Sequence, residues 1–306
     1  MKEGKPSATA EANAGFRAAE WIYPQNQRAC SDQFAGHFVG LKFRLIVRSK
    51  ILTRIALWYV ERVMPNVQNS VVVRHRYIDD YLKDCIDAGI RQLVILGAGY
   101  DSRAYRFAEL AEKVKVFEVD HPNTLRVKTQ KVRRLLGSLP DHVVYVPVDL
   151  NSAKLGDVLF ENGYSRHLRT LFIWEGVTVY LTDQGIDETL SFVSNNSGEG
   201  SSIIFDYAYQ SALNGTLHSE EASKWRAAFE RRGEAPKFGL DERDVGDFLA
   251  KRGFSDVHTV SMESLGDAYF GSKGINRKVT RFGGIVHANV ASKCSTVRET
   301  EPAFSN

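Results

Sequence analysis

The chain has 306 residues, 43% of them hydrophobic and 25% charged. That balance matches globular proteins and excludes disorder over most of the length. Lys plus Arg number 40 against 37 Asp plus Glu, a net charge of +3, which is too mild to make nucleic acid an expected partner.

Residues 1–15 are small and polar, lack the apolar core of a secretory leader, and are expected to form a mobile tail. Residues 16–70 are helical in composition and are expected to form a lid or cap. Their apolar side chains include Phe34, Phe38, Phe43, Leu45, Ile51, Trp58 and Tyr59, which should be buried against the following domain. The most hydrophobic stretch, Leu41 to Val60, carries Lys42, Arg44, Arg48, Lys50 and Arg54. Those charges exclude an ordinary membrane-spanning helix but allow a weak contact with a membrane surface. Pro65 ends any helix before it. Tyr77, Ile78, Tyr81, Leu82 and Cys85 then recur at helical spacing, so an amphipathic helix is predicted over 71–88.

From residue 92 the pattern alternates. Short apolar runs at 92–96, 114–119, 143–148, 170–174 and 201–207 read as buried parallel strands. Helical segments separate them, including one over 122–136 with Pro122 in its first turn and one N-capped by Thr182. Strand alternating with helix predicts an α/β fold with a Rossmann-like, doubly wound, mostly parallel sheet. Residues 208–240 interrupt the alternation as an insertion on the substrate side, with a helix over 220–232. A helix over 241–251 follows. Strands at 254–261 and 281–290 lie too close for a crossover helix and are expected to pair antiparallel. The main domain thus spans 71–292, and the polar residues 293–306 are expected to be a mobile tail. Cys30, Cys85 and Cys294 form no CxxC pair, which argues against a zinc site or disulfide framework and suits a reducing compartment. The expected location is the cytoplasm.

Ligands of open α/β sheets bind at the carboxyl ends of the strands. The first strand runs into Gly97-Ala98-Gly99-Tyr100-Asp101-Ser102, a turn in which glycine lets a ligand approach the backbone. Ser102 stands where a dinucleotide fingerprint needs a third glycine. Asp120 ends the second strand, where an acid can accept both hydroxyls of a ribose. Asp149 ends the third and can bond an exocyclic amine. Glu175 ends the fourth, where a carboxylate near the sheet centre must be paired or solvated. Each acid also admits a purely structural role as a helix cap or loop acid. A nicotinamide-dependent oxidoreductase would use the same glycine turn, but the missing glycine and the acids after the third and fourth strands count against it. A catalytically silent binding protein on this fold is the other alternative.

Several motifs in order carry a resemblance. Leu93 to Arg106, LVILGAGYDSRAYR, resembles the first motif of the leucine carboxyl methyltransferase family. Phe117-Glu-Val-Asp-His-Pro122 is similar to its second motif, Val148-Asp-Leu150 to its third acidic site and Glu175-Gly-Val-Thr-Val-Tyr-Leu181 to its EGxxxYL motif. Arg74-His-Arg-Tyr-Ile-Asp-Asp80 resembles the RTRxIDD helix of the bacterial branch, with His75 in place of the threonine. The resemblance covers residues 70–210 and implies an S-adenosylmethionine-dependent methyltransferase. It implies that Gly97 and Gly99 lie against the methionine part of the cofactor. Arg74, or Arg76 with the pattern shifted, would pair with its carboxylate. Asp120 would hold the ribose, Asp149 with Leu150 the adenine, and Glu175 the amino group or the methyl-donor region. The first 70 residues do not match the eukaryotic members that methylate a protein phosphatase, so that substrate is not carried over. The expected reaction is O-methylation of a small-molecule hydroxyl or carboxylate. Tyr180 and His121 are the candidate catalytic groups, and Tyr207 and Tyr209 also sit at strand ends. Arg126, Lys128, Lys131, Arg133 and Arg134 make a basic helix face without interleaved aromatics, read as a solvated surface.

Overall fold

The computed structural model describes residues 7–149, 155–232 and 235–292. Seven strands form one sheet: β1 (Gln92–Leu96), β2 (Lys115–Asp120), β3 (Val143–Pro147), β4 (Thr170–Trp174), β5 (Ser202–Ala208), β6 (Phe254–Ser261) and β7 (Gly283–Val290). Their order is β3-β2-β1-β4-β5-β7-β6. The first five are parallel, and β7 runs antiparallel between β5 and β6. The expected mostly parallel, Rossmann-like sheet with an antiparallel C-terminal pair is therefore the observed one. Chain order reverses between the adjacent strands β1 and β4, which places a ligand crevice at their carboxyl ends.

The central strands are apolar throughout because both faces are covered. All five residues of β1 and of β4 are buried. Val94, Leu96, Phe117, Phe172 and Phe205 join one core, while Leu93, Ile95, Leu171, Ile173 and Ile204 join the core on the opposite face. The period of two that sends alternate side chains to opposite faces thus builds two cores. Between β6 and β7 lies a helix, Met262–Tyr269, that the spacing did not predict. The antiparallel pairing holds all the same, with Val260 opposite Ile285.

Five helices precede the sheet: α1 (Ala8–Ala19), α2 (Ala35–Phe38), α3 (Leu41–Arg48), α4 (Lys50–Val63) and α5 (Val67–Asp87). Residues 8–15, read from sequence as part of a mobile tail, are the first two turns of α1. Ser7 caps the helix, its hydroxyl accepting from the Ala10 N–H. Ala14 and Ala18 are buried, and Glu11 accepts the Gly40 N–H at 2.6 Å. Arg17 anchors the far end. Its Nε donates to Asp32 at 2.9 Å and its Nη2 to the Tyr100 carbonyl at 2.6 Å. The segment is held by small side chains and polar anchors, which leave no hydrophobic stripe to read.

Two other expectations fail on burial. Phe38 is fully buried, but Phe43, Leu45, Ile51, Trp58 and Tyr59 are exposed. α4 turns Thr53 and, in part, Ala56 and Val60 toward the body, and among the described residues no element covers its opposite side. Lys128, read as part of a solvated basic face, is fully buried. Its ammonium pairs with Glu118 at 2.8 Å and donates to the Ala98 carbonyl at 3.3 Å, which ties the helix Pro122–Leu136 to the turn after β1.

Candidate functional site

The turn after β1 is left-handed at both glycines, with φ of +64° at Gly97 and +43° at Gly99. The space matches the conformation. A Cβ on Gly97 would stand 2.3 Å from a methyl of Val177, and one on Gly99 3.0 Å from the Cβ of Ala10. Only glycine fits there without strain. Asp120, at the end of β2, braces this turn. One carboxylate oxygen accepts the Gly99 N–H at 2.5 Å and the other the His121 N–H at 2.6 Å. Burial pushes its carboxyl above the ordinary value, opposed by those two amides. Residue Asp149 is exposed just past β3; Leu150 lies outside the described residues.

The inner face of α5 supplies Arg74, His75 and Asp79 to a buried ionic network. Arg74 donates from Nε to Glu175 at 3.1 Å and from Nη1 to Asp206 at 2.8 Å. Arg103 is completely buried. It donates to Asp79 at 2.7 Å, to Glu175 at 2.8 Å and to Asp101. Its Nη2 lies 2.9 Å from the His75 ring nitrogen. Arg106 closes the network on Asp79 at 2.8 Å. Three guanidiniums therefore face four carboxylates, those of Asp79, Asp101, Glu175 and Asp206.

The network sets each proton affinity. Burial alone would raise Glu175, but Arg103, His75 and Arg74 outweigh it and hold the carboxyl well below its usual value. Burial wins at Asp206 and raises it, although Arg74 and the Gly176 N–H pull the other way. Burial, then the Arg103 charge, depresses His75, against the pull of Asp79 and Glu175.

Beside Arg74 lies a cavity of about 160 Å³. α1 contributes Thr9, Asn13 and Phe16 to its wall, and Trp225, Phe229 and Phe282 make an aromatic side. Asp206 and Tyr207 reach it from β5. Tyr180 sits in the wall, stacked on Phe229 with centroids 5.6 Å apart. The Tyr207 hydroxyl is buried with no hydrogen-bond partner among the described residues.

Of the residues singled out from sequence, Gly97 and Gly99 share one turn that Asp120 braces, and Arg74 and Glu175 are bonded to each other. Tyr180 faces the cavity. His121 does not line it; it caps the helix Pro122–Leu136, Nδ1 accepting from the Asn123 N–H at 3.2 Å. Arg76 points to the other side of α5, bonded to Asp80 at 2.8 Å, because two residues along a helix are not on one face. Sequence reasoning missed Arg103, Asp79, Asp206 and Asn13. Asp206 carried the same strand-end signal as the other acids, and Arg103 lay within the GAGYDSRAYR stretch. Asn13 gave no signal at all.

Residues 10–194 match the model of the family described as leucine carboxyl methyltransferase. A Bacillus subtilis protein named "Putative S-adenosyl-L-methionine-dependent methyltransferase YktD" is 28% identical over 217 residues, 71% of each chain. A Mycolicibacterium paratuberculosis protein named "Putative S-adenosyl-L-methionine-dependent methyltransferase" is 32% identical over 65% of this chain and 64% of its own. The match thus spans just under two thirds of the mycobacterial relative. Among solved structures, a Thermobifida fusca protein titled a putative methyltransferase superposes with a TM-score of 0.58 at 13% identity, covering 95% of this chain and 97% of its own; at that identity the likeness is one of fold.

Proposed function

The chain belongs to the leucine carboxyl methyltransferase family, with S-adenosylmethionine as cofactor, and from that premise we propose that it methylates an oxygen of a small-molecule acceptor, a hydroxyl or a carboxylate. The Arg74–Glu175 pair carries the reading. It sets a cation and an anion side by side at the carboxyl end of β4, the complement of an amino acid's carboxylate and ammonium. Gly97 and Gly99 would border the same group, in a turn that admits no side chain because Val177 and Ala10 stand where added Cβ atoms would be. Arg74 would hold the methionine carboxylate and Glu175 its ammonium. Asp120 would take the ribose and Asp149, with Leu150, the adenine end.

When bound, S-adenosylmethionine supplies a methyl group on an already electrophilic sulfonium. The chain then has to orient the acceptor and keep water away. The aromatic wall and α1 do both, packed on the cavity and on Gly99. A carboxylate acceptor needs no base. A hydroxyl acceptor does, and Asp206 is better suited than Glu175, because its carboxyl is raised and it faces the cavity. Tyr180 positions the acceptor through its stack with Phe229. His121, engaged as a helix cap, is left out of this scheme.

Calorimetry should detect binding of S-adenosylmethionine and of its demethylated product, and none of NAD. Incubation with candidate acceptors should then yield a product heavier by one methyl group. Tight NAD binding without a response to S-adenosylmethionine would sink the reading; a methylated nitrogen or carbon would correct the acceptor atom alone.

A further inference from the structure

Eight of the eleven large apolar side chains exposed among the described residues lie between positions 41 and 59. Single exposed apolar residues are ordinary, but a contiguous patch marks a contact surface. Ile51, Ile55, Trp58 and Tyr59 recur at i, i+4, i+7 and i+8 on α4 and are 57 to 69% exposed. The inner side of the same helix, at Thr53, Ala56 and Val60, faces the protein. α4 is therefore apolar on two sides and covered on one. Leu41 and Leu45 extend the patch along α3.

The charges around the patch have one sign. Residues 41–63 carry Lys42, Arg44, Arg48, Lys50, Arg54 and Arg62 against the single carboxylate of Glu61. The Arg62 guanidinium rests 4.7 Å over the Trp58 ring. A second copy of the chain would bring this patch against itself and set cations against cations. A nucleic acid would use the cations and leave the aliphatic stripe wet. A bilayer with anionic headgroups satisfies both features.

We propose that the α3–α4 hairpin docks the protein on membrane surfaces that contain anionic lipid. The aliphatic stripe enters the boundary of the acyl chains, Trp58 and Tyr59 lie at headgroup level, and the cations meet the phosphates. The hairpin lies on the bilayer and does not cross it. α4 has 14 residues, about 21 Å at 1.5 Å per residue, against a hydrocarbon core of about 30 Å. No helix among the described residues is long and apolar enough to span. Met64, the residue after α4, lines the cavity beside Arg74, so the end of α4 borders the cavity.

The full chain should co-sediment with phosphatidylcholine vesicles that contain phosphatidylglycerol, poorly with phosphatidylcholine alone, and less as salt rises. The double variant Ile55→Ser, Trp58→Ser removes only exposed groups. It should keep the circular dichroism of the parent and lose at least about tenfold in partitioning. Failure to bind the anionic vesicles at low salt would overturn the proposal. So would equal binding by the double variant, or a dimer in light scattering that this variant dissolves, which would assign the patch to a second copy.

Discussion

Arg103 has no contact with solvent, yet it carries a charge that three carboxylates share. Replacing it with methionine would keep the bulk and leave Asp79, Asp101 and Glu175 short of their counter-ion. Removing one partner of a buried ionic group costs about 3–5 kcal/mol, so the urea midpoint of Arg103→Met should fall by that equivalent or the protein should fail to fold. Arg103→Lys keeps the charge but loses the forked geometry, and its midpoint should lie between the two. Asp120 makes a narrower case. Asp120→Ala removes its bond to the Gly99 N–H of the glycine turn and its bond to the His121 N–H, a loss of about 1.5–3 kcal/mol for each bond to a charged group at most. If it also holds the ribose, affinity for S-adenosylmethionine in calorimetry should drop at least about tenfold. Asp120→Asn keeps an acceptor oxygen and should recover part of the stability. Unchanged affinity in both variants would remove Asp120 from the cofactor site.

Arg17 ties α1 to the Tyr100 carbonyl beside the glycine turn and to the buried Asp32, and the second bond makes its attachment sensitive to acid. Burial would raise the Asp32 carboxyl, but Arg17, Arg106 and His75 lower it to about 2 from an ordinary 3.8. A carboxyl lowered on folding stabilises above its unfolded value and loses that contribution as pH falls through the folded one. Asp32 therefore contributes about 2 kcal/mol above pH 4, lost progressively toward pH 2. The protection of α1 amides against exchange, relative to their intrinsic rate at each pH, should fall between about pH 4 and pH 2 in advance of that of β1 and β4; simultaneous loss would show that α1 is not a separately released element. The same helix marks the limit of what sequence can reveal. β1 and β4 are legible because a strand buried on both faces is an unbroken apolar run, and the acids after them stand out by contrast. The Arg74 helix is legible through its stripe of Ile78 and Leu82. α1 packs through alanines against Gly99, a contact whose meaning depends on a residue some ninety positions away. The α3–α4 hairpin misleads in the opposite direction: its apolar content signals burial, and the fold covers only one side of it. Asp206 and Arg103 carried adequate signals singly, but their pairing with Arg74 and Glu175 depends on how α5 lies across β4 and β5.

In the whole molecule the carboxyl edge of the sheet and α5 carry the groups proposed to hold the cofactor, and α1 lies against them. The two cores flanking the sheet draw on residues from Ala29 onward and take nothing from α1. A chain beginning at residue 20 should therefore retain the sheet and unfold cooperatively. It would lose Thr9, Asn13 and Phe16 from the cavity wall, Ala10 from Gly99 and Arg17 from Asp32. Water would reach the turn after β1, and the small cluster of Phe38, Val39 and Tyr100 that packs on Ala14 would be partly uncovered. Methyl transfer should fall far more than cofactor affinity, because Arg74, Glu175 and Asp120 stay in place while the acceptor loses one wall and the site loses its cover. The truncated chain should also bind more of an apolar dye than the full chain. The comparison to make is the ratio of transfer rates against the ratio of calorimetric affinities, on an acceptor that the full chain methylates. Equal losses in both would place α1 in cofactor binding alone, and full activity of the truncated chain would show that enclosure by α1 is not needed for transfer.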